Sequence, residues 1–171
     1  IKIISGIYPK DGGEIYMNGK PVNIFSRQDS MAAGIAVVYQ ELSVMPNLTV
    51  AQNIMAGREM AKLGFLQRKQ MNQKVQALID RYQLGLRATQ MVSELSTAER
   101  QVVEILKALI TDASLIIMDE PTASLSYKES ETLFQIIRNL RDNGVSILYI
   151  SHRLDEVYML SDRITVLRDG K

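Results

Sequence analysis

The sequence predicts an α/β fold, with a mostly parallel sheet, an antiparallel β hairpin near the N-terminus and a helical segment inserted between the two. Three observations lead there. Compact apolar runs at 35–39, 114–118 and 145–150 have the length and composition of buried strands. Stretches of helical spacing at 96–110 and 126–141 separate the later runs, and a strand–helix–strand alternation implies right-handed crossovers and parallel pairing. Near the start, Asn18-Gly19 lies between short apolar segments at 14–17 and 21–24, the strongest short-range hairpin signal.

The opening Ile1-Lys2-Ile3-Ile4-Ser5-Gly6 reads as the last turn of a helix that begins upstream, with Gly6 as its cap and Pro9 following. After the strand at 35–39 the pattern changes to helix and loop until about residue 94. Thr49 can cap a helix through Met55 that closes at Gly57, and Val75, Leu78, Ile79 and Tyr82 give 71–82 helical spacing. Val102, Val103, Ile105, Leu106 and Leu109 form a broad apolar face on 96–110, and Leu133, Phe134, Ile137 and Leu140 form another on 126–141. Asn143-Gly144 stops the second helix. A short helix at 154–160 and a last strand at 164–167, ahead of Asp169-Gly170, complete the reading. The organisation is thus a β-rich part over 1–40, a helical part over 41–95 and a second α/β part over 96–171.

Composition narrows the function. The chain has 171 residues, 46% of them apolar and 23% charged, enough to bury a core. Its net charge of +1 lacks the basic excess of a general nucleic-acid or membrane-surface binder. The absence of cysteine excludes disulfides, thiol catalysis and thiolate metal sites, and a single histidine, His152, excludes a multi-histidine metal site.

The chemistry-bearing residues gather at strand ends. Leu115-Ile116-Ile117-Met118-Asp119-Glu120 buries a strand and releases two carboxylates at its C-terminal end, where ligand sites of open α/β sheets lie. Asp119 can hold Mg²⁺ while Glu120 orients and activates water; the alternative is a plain acidic turn. The strand at 145–150 runs into Ser151-His152, which brings the only imidazole to the same crevice as a candidate polariser. Gln40 ends a third strand in the same way and can touch Mg²⁺ or the attacking water. Ser96-x-x-Glu99 fits a capping box, and the same helix N-terminus can attract a phosphate; both readings stand.

Taken in order, these segments resemble the nucleotide-binding domain of ATP-binding cassette (ABC) ATPases, whose core is that of a P-loop NTPase. Val37-Val38-Tyr39-Gln40-Glu41 resembles the Q-loop, Leu95 to Gln101 the signature segment, Leu115 to Glu120 the Walker B strand with its catalytic glutamate, and Ser151-His152 the switch histidine. Ile4-Ser5-Gly6-Ile7-Tyr8, Tyr39-Gln40-Glu41-Leu42 and Ile150-Ser151-His152-Arg153 are similar to bacterial sugar importers of the ribose, galactose and arabinose type.

The resemblance implies an ATPase that energises carbohydrate import from the cytoplasmic face of the bacterial inner membrane, with ATP and Mg²⁺ as cofactors. It implies as partners a second cassette (in the same polypeptide or a dimer), transmembrane permease subunits and, indirectly, an external sugar-binding protein, with no nucleic acid. Asp119 and Gln40 would serve Mg²⁺, Glu120 the water, His152 the γ-phosphate and Ser96 the ATP of the opposite cassette.

Two departures stand out. The P-loop G-x-x-x-x-G-K-[ST] does not occur in these residues and is expected upstream of Ile1, so 1–171 alone is expected to bind ATP poorly and to be inactive. The signature pattern L-S-G-G-Q carries Thr97, Ala98 and Glu99 instead, which predicts a weak phosphate contact in trans. Ser126 stands where the D-loop aspartate is common, and with Glu129 at N3 it reads first as the cap of the following helix. A regulatory cassette with little hydrolysis, and a non-transport ABC ATPase, are the competing readings.

Overall fold

The computed structural model describes residues 1–39, 42–62 and 64–167. Strand β1 (Ile15–Met17) turns at Asn18-Gly19 into β2 (Lys20–Val22). Both turn residues have positive φ, 50° and 74°, the geometry whose twist matches paired strands. Helix α1 (Arg27–Ala32) leads to β3 (Ile35–Val38), and α2 (Val50–Met55) follows. A small hairpin of β4 (Ala61–Lys62) and β5 (Phe65–Leu66) precedes α3 (Arg68–Arg81). Then come α4 (Thr97–Leu109), β6 (Leu115–Asp119), α5 (Tyr127–Asp142), β7 (Ser146–Ile150) and α6 (Leu154–Leu160).

The central sheet has the order β3-β6-β7, all parallel. Its middle strand alternates between two apolar clusters. Ile116 and Met118 face the larger one, built with α2, α3, α4 and α5, while Ile117 joins Ile24 and Ile35 on the hairpin side. A strand covered on both faces has no place for a polar side chain until it ends, which is why its first carboxylate is Asp119.

Three helices begin with reciprocal capping boxes: Thr49 with Gln52, Ser96 with Glu99 and Ser126 with Glu129. Each satisfies two otherwise orphaned N–H groups, worth about 1 kcal/mol per helix. The loop that follows β3 is tied to α4 from a distance. The Ser43 N–H and hydroxyl both donate to Glu104 Oε1, at 2.7 and 2.9 Å, and Lys107 Nζ donates to the Ser43 carbonyl at 3.1 Å.

Several expectations meet differences. Residues 2–6 do form a turn closed by Gly6, with Ile7 N–H donating to Lys2 O and Gly6 N–H to Ile3 O, the paired bonds of a Schellman cap. The segment 164–167, expected as a last strand, is not one: Ile164, Val166 and Leu167 are exposed. Its β-branched residues carry propensity, but a strand exists only within a ladder, and the described residues give it no partner. The expected Gln40 terminus and Asp169-Gly170 lie outside the described residues. Helix α1 and the β4–β5 hairpin had no counterpart in the sequence reading. Ser26-x-x-Asp29 was the available signal for α1, since Asp29 accepts from the Phe25 N–H and the Ser26 hydroxyl.

Gly6 has φ +71°, and an added Cβ would run into the backbone carbonyl of Ser26, whereas Gly12 faces open space. Gly6→Ala is therefore expected to cost at least ~2 kcal/mol and Gly12→Ala less than ~0.5 kcal/mol, read from urea denaturation of the intact protein. Equal stability of the two variants would contradict the packing described for the N-terminal turn.

Candidate active site

Pairing of β6 with β7 sets the ends of the two strands side by side, with Asp119 opposite Ile150. The ladder continues one residue further, because the Glu120 N–H donates to the Ile150 carbonyl at 2.9 Å. At that point the chain turns sharply. Glu120 has φ +47°, in the left-handed region that a residue with a Cβ avoids, and Pro121 follows. The turn swings the Glu120 side chain toward the residue after Ser151. There His152 Nδ1 lies 3.0 Å from Glu120 Oε1. An ionised carboxylate only accepts, so Nδ1 carries the proton in this pair and Nε2 is the nitrogen left for another group.

The pair is open to a ligand. The His152 side chain is 73% exposed and that of Glu120 33% exposed. Asp119 sits one residue before Glu120, half-buried, and the hydrogen bonds of the described residues engage Glu120 while leaving the Asp119 carboxylate unbonded. Among the described residues no group of three His, Asp or Glu side chains converges as a complete metal cage. A carboxylate at a strand end with no hydrogen-bond partner among the described residues suits a cation that keeps most of its water and takes its remaining ligands from a phosphate.

Ser96 is elsewhere. It is the N-cap of α4 and lines a groove with Leu84, Glu99, Lys128, Glu129 and Thr132, a lining that includes neither Asp119, Glu120 nor His152. Its hydroxyl donates to Glu99 Oε2 at 2.9 Å and accepts from the Glu99 N–H at 3.3 Å. The Glu99 carboxylate is thus folded back onto its own helix terminus, where it also accepts the Ser96 N–H at 2.8 Å. The structure therefore brings Glu120 and His152 together with Asp119 beside them, and leaves Ser96 apart. Gln40 is outside the described residues.

Behind the exposed pair lies a polar cluster that sequence reasoning missed. Glu156, on α6, is only 1% exposed, yet its carboxylate takes bonds from Thr122, Tyr149, Ser151 and Arg153. Burial and the hydrogen bond to Glu156 push the Tyr149 phenol up from its ordinary range and keep it a donor. The only sequence signal was Arg153 three residues before Glu156, a spacing equally common on solvated helices.

The strain at Glu120 is measurable. Glu120→Gly and Glu120→Ala both remove the carboxylate, but only glycine adopts φ +47° freely. The glycine variant is expected to be the more stable by ~1 kcal/mol in chemical denaturation, against its usual flexibility penalty. A less stable glycine variant would mean that the turn is not strained.

Residues 1–123 match the ABC transporter family. The chain is 48% identical over 171 residues to the ribose import ATP-binding protein RbsA of Yersinia pestis, which covers all of this chain and 34% of that protein. It is 46% identical over 173 residues to the RbsA of Bacillus cereus, covering all of this chain and 35% of that one. The chain thus spans about a third of the length of these curated relatives. Among solved structures, an ATP-binding cassette of an ABC transporter is 25% identical and aligns at TM-score 0.81 over 99% of this chain and 71% of that one. The cbiO1 cassette of Clostridium perfringens, part of the ABC transporter complex cbiONQ, aligns at TM-score 0.81 with 22% identity over 99% of this chain and 67% of that one, a likeness of fold. With the parallel sheet, the paired strand ends and the match over most of its length, the chain belongs to the ABC transporter family.

Proposed function

We propose that this chain supplies the hydrolytic half of an ATP site in a subunit that energises import of a monosaccharide. The observation that carries the proposal is the contact between Glu120 and His152 at the ends of neighbouring parallel strands, in a member of the ABC transporter family. The import role rests on the relatives, which are named ribose import ATP-binding proteins.

In this reading Glu120 orients a water against the γ-phosphate and accepts its proton. His152 holds Glu120 through Nδ1–H, and as an imidazolium it would also donate Nε2–H to a phosphate oxygen. Asp119, with Gln40, would hold Mg²⁺, and the ion supplies neutralisation of phosphate charge when bound. Such chemistry is mostly positioning and electrostatics, so a carboxylate fixed by strain, by a backbone bond and by an imidazole is suited to it.

Ser96 would face the ATP of a second cassette, in the same polypeptide or a dimer. The further partners are permease subunits and an external sugar-binding protein, at the cytoplasmic face of the bacterial inner membrane. No described helix is long and apolar enough to cross a membrane.

One observation favours a second reading for the Ser96 end. With its hydroxyl and N–H committed to Glu99, Ser96 meets a phosphate only by breaking the capping box, and the carboxylate beside it repels that phosphate. Such a cassette hydrolyses at its own site and serves the opposite one poorly.

Glu120→Gln in the intact protein is expected to lower ATP turnover by about 100-fold or more while ATP still binds, since the amide keeps the shape but cannot take the proton. A change of less than about threefold would instead favour a regulatory cassette. For the Ser96 end, the triple variant Thr97→Gly, Ala98→Gly, Glu99→Gln is expected to raise turnover at the opposite site several-fold, on the order of the loss of one repulsive contact. No gain would mean that the capped form already serves the phosphate.

A further inference from the structure

The Glu156 carboxylate receives more bonds than the stability of a seven-residue helix calls for, and where they come from matters more than their number. Thr122 Oγ1 reaches both oxygens, at 2.9 and 2.8 Å, and lies two residues after Glu120. Ser151 Oγ, at 3.2 Å from Oε2, belongs to the residue before His152. Arg153 Nη1, at 2.8 Å from Oε1, belongs to the residue after it. Tyr149 donates its phenol to Oε2 at 2.6 Å from the end of β7. The Ser151 hydroxyl also accepts the Arg153 N–H at 3.0 Å, which closes the backbone around His152.

Both flanks of the histidine and the turn after the glutamate therefore converge on one buried carboxylate. His152 is exposed and Glu120 half-buried, and the single bond between their side chains does not by itself hold the two turns at a fixed separation. The buried bonds behind them are protected from water and gain strength from it.

From this arrangement we infer that Glu156 is a positioning residue for hydrolysis: it locks the Thr122 turn to the Ser151–Arg153 turn and thereby sets the distance between Glu120 and His152. This rests on the roles given to those two residues above. Packing alone does not account for the geometry, because an apolar side chain would fill the space beside α6 without gathering four donors from β7 and two separate turns.

Glu156→Gln tests it in the intact protein. The amide keeps side-chain volume but removes the charge that Arg153, a donor only, is paired with, and the hydroxyls of Tyr149 and Ser151 must reverse to accept from its NH₂, so the cluster is weakened and rearranged. The expected result is a fall in kcat of about tenfold or more with KM for ATP within about threefold of the parent, because the site still binds but no longer holds its geometry. The His152 ring signal in a carbon–proton correlation spectrum, identified by its loss in His152→Ala, is expected to shift or broaden while signals of α3 stay in place.

The proposal is overturned by a kcat within about twofold of the parent, or by a lost kcat beside an undisturbed His152 signal. Should the glutamine variant fail to fold, Tyr149→Phe and Ser151→Ala each remove one bond to the carboxylate. Each is expected to lower kcat about threefold and to move the His152 signal the same way, and no effect from either overturns the proposal. Parallel measurement of Glu120→Gln separates the two layers. A parent insensitive to that change removes the assignment of Glu120, whereas a sensitive parent with an indifferent Glu156→Gln removes only the positioning role.

Discussion

Strand β6 has a hydrogen-bonded neighbour on each side and apolar side chains against both of its faces, so its polar groups are spent within the sheet until the strand ends. Leu115 to Met118 can be nothing but apolar under that constraint. The first carboxylates come together, as Asp119 and Glu120, where the burial stops. Pairing with β7 then fixes what lies opposite them, and the one further bond from Glu120 to Ile150 holds the two strand ends in register at the point where the chemistry begins. The parallel direction of β7 matters as much as its adjacency. An antiparallel neighbour would have delivered its N-terminal end there, and His152 would stand at the far edge of the sheet.

The local strain at Glu120 belongs to the same constraint. A left-handed backbone in a residue with a Cβ costs about 1–2 kcal/mol, and here it turns a side chain out of the ladder and toward the next strand's terminus. The surrounding sheet, with its core of Ile116, Ile117 and Met118 all fully buried, supplies the stability that the strained turn spends. Here a strand with a fully buried centre and a strained residue are neighbours.

How much of this could be read in the sequence depends on the range of the interaction. The three sheet strands were legible because each is a short apolar run between turn signals, and their parallel order followed from the helices between them. Capping at Thr49, Ser96 and Ser126 was legible because its partners lie three residues apart. The nearness of Glu120 and His152 was an inference from topology, and the two side chains do lie 3.0 Å apart. The segment 164–167 misled because propensity is local and a ladder is not. Glu156 was invisible for a related reason. A glutamate in the first turn of a short helix is unremarkable until Thr122, 34 residues before it, joins Tyr149 and Ser151 in covering it.

The tie between Ser43 and α4 gives that helix a mechanical character. Ser96 caps one end, and Glu104, which grips the loop, is eight positions along, or ~12 Å at the rise of an α-helix. Val102, Val103, Ile105 and Leu106 between and beside them are buried, so the rod between these two points is braced and cannot easily bend. The loop and the serine are therefore anchored to one and the same braced element. Ser43 and the terminus that Ser96 caps, far apart in sequence, thus share one support.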